Sequence, residues 1–206
     1  MLITNRLRLL LAVVLVGLSV LSACNCQQAP PVPSSGAIIF AQPSNDIKGL
    51  ANFALVADGL YGGAQPDQAG FAELKKLGIK TVINLRSSHS DREMMAGLGL
   101  QYFEINSDAG DITDEHVAAF LKAALNPANQ PVFVHCAHGA DRTGTMVAVY
   151  RIYVQDWPNR DALNETDLFG RHKIYSNIPQ YIMGFDKEAM KLKVQAAPEP
   201  KIEVIE

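Results

Sequence analysis

Apolar and polar positions along the chain follow two rhythms. Thr81-Val82-Ile83-Asn84-Leu85 and Pro131-Val132-Phe133-Val134 are short, β-branched runs, as expected of buried strands in a parallel sheet. Gln101-Tyr102-Phe103-Glu104-Ile105 alternates with period two and reads as another strand. Phe53-Ala54-Leu55-Val56 and Leu60-Tyr61 flank Asp58-Gly59, a turn pair. Between the strands the period becomes helical. Pro66 and Asp67 suit the first turn of a helix carrying Phe71, Leu74 and Leu77 on one face, with Gly78 to end it. Ser90-Asp91-Arg92-Glu93 has capping-box spacing and starts a short helix through Met94, Met95 and Leu98. Thr113 caps a helix whose apolar face is Val117, Phe120, Leu121, Ala124 and Leu125, with His116 toward solvent. Thr145 to Val154 is too long for an ordinary strand and free of Gly and Pro, so it reads as a buried helix. Trp157-Pro158 marks a break, with Trp157 as a packing residue under the loop and not a substrate platform. Arg160 to Glu165 and Pro179 to Val194 are two further helices, and residues 196–206 read as a disordered tail. This βαβ succession predicts an α/β fold: a single domain over residues 37–195, with a central, mostly parallel sheet flanked by helices on both faces.

The first 23 residues depart from that rhythm. Arg6 and Arg8 precede the apolar run Leu9 to Val16 with no acid nearby, the layout of an export signal and too short for a comfortable membrane span. Leu21-Ser22-Ala23-Cys24 closes the run and resembles the bacterial lipobox; an ordinary secretory signal is the alternative. The resemblance implies cleavage before Cys24, lipid on its sulfur, and a domain in the bacterial cell envelope, lipid-anchored to a membrane and facing the periplasm. Asn25 resembles the sorting pattern for the outer membrane. Residues 24–36 are Pro- and Ser-rich and read as a flexible tether. Without Arg6 and Arg8, the 18 basic residues fall to 16 against 21 acidic ones, a net charge near −5. An acidic domain with no Lys/Arg cluster argues against nucleic acid as partner. Three cysteines make no disulfide framework, and Cys26 is left unpaired.

The chemistry concentrates in His135-Cys136-Ala137-His138-Gly139-Ala140-Asp141-Arg142-Thr143-Gly144, between a strand and a helix. In that setting the loop amides and the first helical turn converge on a place for an anion. Ala137, His138, Gly139, Ala140, Asp141 and Arg142 would line it. The helix end, the amides and Arg142 favour a thiolate on Cys136. Gly139 permits torsions and a close approach that a Cβ would obstruct. Arg142 can offer its planar fork to two phosphoryl oxygens, and Thr143 would place a hydroxyl near the sulfur. His138 is expected at the rim, and Asp141 outward and paired with a base. The spacing His-Cys-x-x-Gly-x-x-Arg-Thr-Gly resembles the signature loop of the cysteine-dependent protein tyrosine and dual-specificity phosphatases. It implies a dual-specificity-phosphatase-like fold, a phosphocysteine intermediate on Cys136, a His135 that braces the nucleophile, and no cofactor. No spacing resembles metal ligation.

A phosphate ester also needs a proton for its leaving group. In the family an Asp on a loop upstream of the cysteine supplies it, and Asp108 and Asp111 are the candidates here. Asp108 follows Ile105 closely and is preferred, because Asp111 has the position of a helix cap. Arg86 either lines the same mouth or makes a surface salt bridge. The expected substrate is a phosphorylated protein or small phosphomonoester. Inositol phosphates come second, since Ala140-Asp141 adds no base to the loop. A phosphate-binding module without turnover and a sulfurtransferase are the alternatives.

Overall fold

The computed structural model describes residues 38–206, which form one unit. The expected export signal, Cys24 and the tether lie outside the described residues. Six strands form one sheet: β1 (Ala54–Ala57), β2 (Leu60–Ala64), β3 (Thr81–Arg86), β4 (Leu100–Ser107), β5 (Val132–Cys136) and β6 (Glu203–Ile205), in the order β1-β2-β5-β3-β4-β6. β2, β5, β3 and β4 run parallel, and β1 and β6 close the edges antiparallel. The expected α/β architecture is therefore present.

The described residues include seven α-helices: α1 (Gln68–Lys76), α2 (Arg92–Met95), α3 (Asp114–Leu125), α4 (Asp141–Gln155), α5 (Asn159–Leu168), α6 (Asn177–Met183) and α7 (Lys187–Ala196). Phe71 and Leu74 of α1 and Met95 of α2 pack with Val82, Leu100, Tyr102 and Phe133 on one side. On the other, Val117, Phe120 and Leu121 of α3 and Met146 and Val149 of α4 pack with Ile83, Leu85 and Val134. Every residue of β5 is buried, which is why its sequence is a continuous apolar run broken only by His135 before Cys136. Each large side chain so enclosed contributes roughly 1.5–3 kcal/mol.

The chain steps outward from β2 through β3 to β4, then returns to insert β5 between β2 and β3. That reversal is a switch point, and ligands of open α/β sheets gather beyond the carboxyl ends of such strands. Cys136 is the last residue of β5, level with Ala64 of β2.

Three expectations need correction. Residues 196–206 are not a disordered tail: Glu203–Ile205 pairs with Leu100–Tyr102, and Ile205 is buried, because β4 would otherwise expose an unpaired edge. The stretch from Pro179 to Val194 is two helices, broken at Gly184, with Asp186 capping the second by accepting from Glu188 and Ala189 amides at 2.9 and 3.1 Å. Leu77 is exposed, since α1 ends before it and Gly78 turns away at φ +81°.

Candidate active site

The residues after β5 form a tight loop, 137–140, that leads into α4 at Asp141. Two of its carbonyls are tied down: Ala137 O accepts from Gln65 N at 3.3 Å and His138 O from Asn52 Nδ2 at 3.2 Å. Its amides are not. The N–H groups of Ala137, His138, Gly139 and Ala140 donate to no protein acceptor among the described residues. Gly139 and Ala140 are buried, where an unpaired amide is costly. Gly139 has φ +70°, and a Cβ on it would lie 2.5 Å from Ala64 N, so glycine is required twice over.

Arg142 and Thr143 come from the first turn of α4, whose macrodipole adds positive potential at this end. Arg142 Nη1 donates to Ser107 O at 2.8 Å and Leu85 O at 3.2 Å, the carbonyls at the ends of β4 and β3. The guanidinium is thereby clamped, while its Nε is buried with no partner. Cys136 lies at the floor with 2% of its surface exposed. Before it, His135 is fully buried, with Nε2 2.9 Å from Asp91 Oδ2. Four free amides, a helix end and a fixed guanidinium around one cysteine make an anion cradle.

A model of the tyrosine phosphatase family matches residues 49–202, most of the chain. The chain belongs to the tyrosine phosphatase family. It is 30% identical over 136 residues to the dual specificity protein phosphatase TpbA of Pseudomonas aeruginosa, covering 65% of this chain and 62% of that protein. The chain thus spans less than two thirds of the length of that relative. It is 28% identical over 148 residues to the inositol diphosphatase DSP4 of Arabidopsis thaliana, covering 68% and 74% of the two chains. The crystal structure of P. aeruginosa TpbA is similar with a TM-score of 0.66 at 28% identity, over 76% of this chain and 96% of that one. A TpbA variant in complex with pTyr is equally similar, with a TM-score of 0.66.

Within this phosphatase-family domain the other expected site residues are placed unequally. His138 is exposed on the rim, its ring 5.6 Å from that of His172. Asp141 is paired with a base, but it is buried instead of outward: its two oxygens take His172 N at 2.8 Å and His172 Nδ1 at 2.6 Å. Thr143 is fully buried and donates its hydroxyl to Gly63 O at 3.2 Å, so its proton ties α4 to β2 and is not free for the sulfur. Arg86 makes no salt bridge among the described residues and donates to Gln65 Oε1 at 2.9 Å. Asp108 directly follows the carbonyl that clamps Arg142, and its Oδ1 accepts from Ser87 Oγ at 2.6 Å. Asp111 is exposed and does not cap α3, because Thr113 does, accepting from His116 N at 3.5 Å while His116 Nδ1 accepts from Thr113 N at 3.2 Å. The reason for setting Asp111 aside is therefore removed.

The capping box expected of Ser90 and Glu93 does not form: α2 starts at Arg92, Asp91 takes the cap position, and no side chain caps the helix. Asp91 is fully buried, and its second oxygen accepts from Gln65 Nε2 at 2.7 Å. Burial pushes its carboxyl up, yet the hydrogen bond and charge of His135, the Gln65 amide and nearby His89 outweigh that and hold it below the usual carboxylate value. Asn52, at φ +55°, is a second residue the sequence did not single out; besides His138 O it reaches Phe169 O at 2.8 Å and so pins the loop to the end of α5. No periodicity or spacing marks either residue as part of the site.

Proposed function

We propose that this domain hydrolyses phosphomonoesters of the phosphotyrosine and dual-specificity type through a phosphocysteine on Cys136. The observation that carries the reading is the set of unpaired amides in the short loop between Cys136 and α4, next to an Arg142 whose guanidinium is clamped and whose Nε has no partner. In the first step the Cys136 thiolate attacks phosphorus, the ester P–O bond breaks, and the departing oxygen takes a proton from an aspartic acid. In the second, the resulting carboxylate takes a proton from water, the water oxygen attacks phosphorus, and the S–P bond breaks to return thiolate and inorganic phosphate. The amides and Arg142 bind the equatorial oxygens as their charge shifts, an electrostatic contribution that preorganised donors supply best. Placing the clamp on Arg142 through Leu85 O and Ser107 O fixes the guanidinium before substrate arrives.

Asp108 is the proposed acid, because Ser107 holds the turn it begins against Arg142. Asp108→Asn is expected to slow turnover of phenyl phosphate about 10²-fold or more, and of p-nitrophenyl phosphate, a better leaving group, far less. Steady-state kinetics on both esters checks this; the same pattern from Asp111→Asn alone would transfer the role. Phosphotyrosine-type substrates are favoured by the likeness to TpbA, one variant of which was solved with pTyr. Inositol phosphates are the second reading, on the likeness to DSP4. Asp141 weighs against them, since the cradle's first helical residue is an acid held by His172 and no base.

The lipid anchor on Cys24 is part of the same proposal and rests on Leu21-Ser22-Ala23-Cys24. Expressed in a bacterium, the full chain is expected in the detergent phase of a Triton X-114 partition, and Cys24→Ser in the aqueous phase. Equal partitioning of the two would remove the anchor.

A further inference from the structure

Behind the loop, the polar groups on the α1 and α2 side of the sheet form one connected chain. His135 stacks on Phe133 with ring centres 5.8 Å apart and meets Phe71 edge-on at 6.4 Å, so the surrounding core holds its ring in place. Nε2 points to Asp91 Oδ2, and Nδ1 is buried with no partner. Asp91 Oδ1 accepts from Gln65, whose own oxygen accepts from Arg86, and Asp91 N donates to Tyr102 Oη at 3.0 Å. A carboxylate with no exposed surface is expensive unless fully engaged. This one is engaged, and it stands behind the residue that precedes the nucleophile.

We propose that Asp91 is a positioning residue that acts through His135 on the reactivity of Cys136. The proposal rests on the reading of Cys136 as nucleophile. A carboxylate on Nε2 fixes the tautomer and the orientation of the ring behind the loop. A ring so held steadies the backbone from which Cys136 meets the loop amides and the start of α4, the groups that favour a thiolate. Titratable and charged groups on every side bear on this pair. His89 lies 3.7 Å from Asp91, Arg86 reaches it through Gln65, and Tyr102 joins it to Glu104, which Arg92 binds at 2.9 Å. Arg142 and His138 belong to the stretch that follows Cys136 into α4, and Asp108 follows the carbonyl that clamps Arg142.

Asp91→Asn removes the charge with little change of shape: the amide oxygen can keep Nε2, and Gln65 can turn its own amide toward the new donor at the cost of its bond from Arg86. The readout is alkylation of Cys136 by iodoacetamide in the intact chain, resolved by peptide mass spectrometry from about pH 5 to about pH 9. At neutral pH the variant is expected to react about 10-fold more slowly, with its profile displaced to higher pH and kcat lowered by a similar factor at little changed KM. A variant that melts earlier but keeps the wild-type alkylation profile would overturn the proposal and leave Asp91 a structural residue. Should Asp91→Asn not fold, Gln65→Leu strips one donor from the carboxylate and is expected to move the profile in the same direction by less. An unmoved profile there overturns it equally. Wild-type protein that releases no phosphate while Asp91→Asn still shifts the profile would sink the phosphatase reading and leave this one standing.

Discussion

Cys136→Ser is expected to abolish phosphate release while leaving phosphate binding nearly intact. A serine hydroxyl at the end of β5 stays protonated at neutral pH and has no base beside it, since His135 is committed to Asp91. The loss should be on the order of 10⁵-fold or below detection, as for other covalent nucleophiles. Binding should survive because the anion is held by the amides of residues 137–140 and by Arg142, whose clamp on Leu85 O and Ser107 O does not involve the sulfur. Release of phosphate from a phosphotyrosine peptide, together with titration of vanadate or phosphate by calorimetry, separates the two. If wild type and Cys136→Ser bind alike and neither releases phosphate, the domain is a phosphate-binding module. If wild type takes sulfur from thiosulfate and ignores aryl phosphates, it is a sulfurtransferase.

The largest effect on stability is expected far from the cradle. Arg151 of α4 and Glu165 of α5 form a two-pronged ion pair, Nε to Oε2 at 2.9 Å and Nη2 to Oε1 at 2.6 Å, with 3% and 1% of their surfaces exposed. Glu165 Oε1 also accepts from Ala41 N at 2.6 Å, and the Arg151 guanidinium lies 4.3 Å from the centre of the Trp157 ring, which Phe40 meets at 5.6 Å. The lone tryptophan is therefore a packing residue, but against Arg151 and the start of the described chain and not under the anion loop, because it follows the far end of α4. Glu165→Ala leaves a buried guanidinium and a backbone amide without their acceptor, at a cost of about 3–5 kcal/mol. For a domain of this size that lowers the melting temperature on the order of 10 °C. Thermal unfolding followed by circular dichroism measures it. The pair Arg151→Met with Glu165→Leu should recover much of the loss, because matched apolar residues carry no desolvation penalty. A drop below about 1 kcal/mol for Glu165→Ala would mean that the pair is hydrated and not buried.

Much of the architecture is legible in local patterns. The apolar runs of β3 and β5 mark strands covered on both faces, and the run after Thr145 marks a helix enclosed on most sides. The motif from His135 to Gly144 places the cradle, because its residues are close in sequence and their spacing is itself the geometry. What was missed has a different origin. The strand at Glu203–Ile205 exists because β4 offers it an edge, and three residues carry too little local preference to announce themselves.

Asp91 and Asp141 make the same point for the site. Their immediate neighbours suggest a place inside a capping box for one and an outward charge for the other, yet each is turned inward by a histidine 44 or 31 positions away. The chain order alone determined where the strands, the helices and the anion loop lie, since those follow from side-chain period and from the backbone needs of a few adjacent residues. Only the folded molecule decided which buried charges face one another, because the energy of a desolvated carboxylate is set by the donors that packing brings to it, wherever they stand in the sequence.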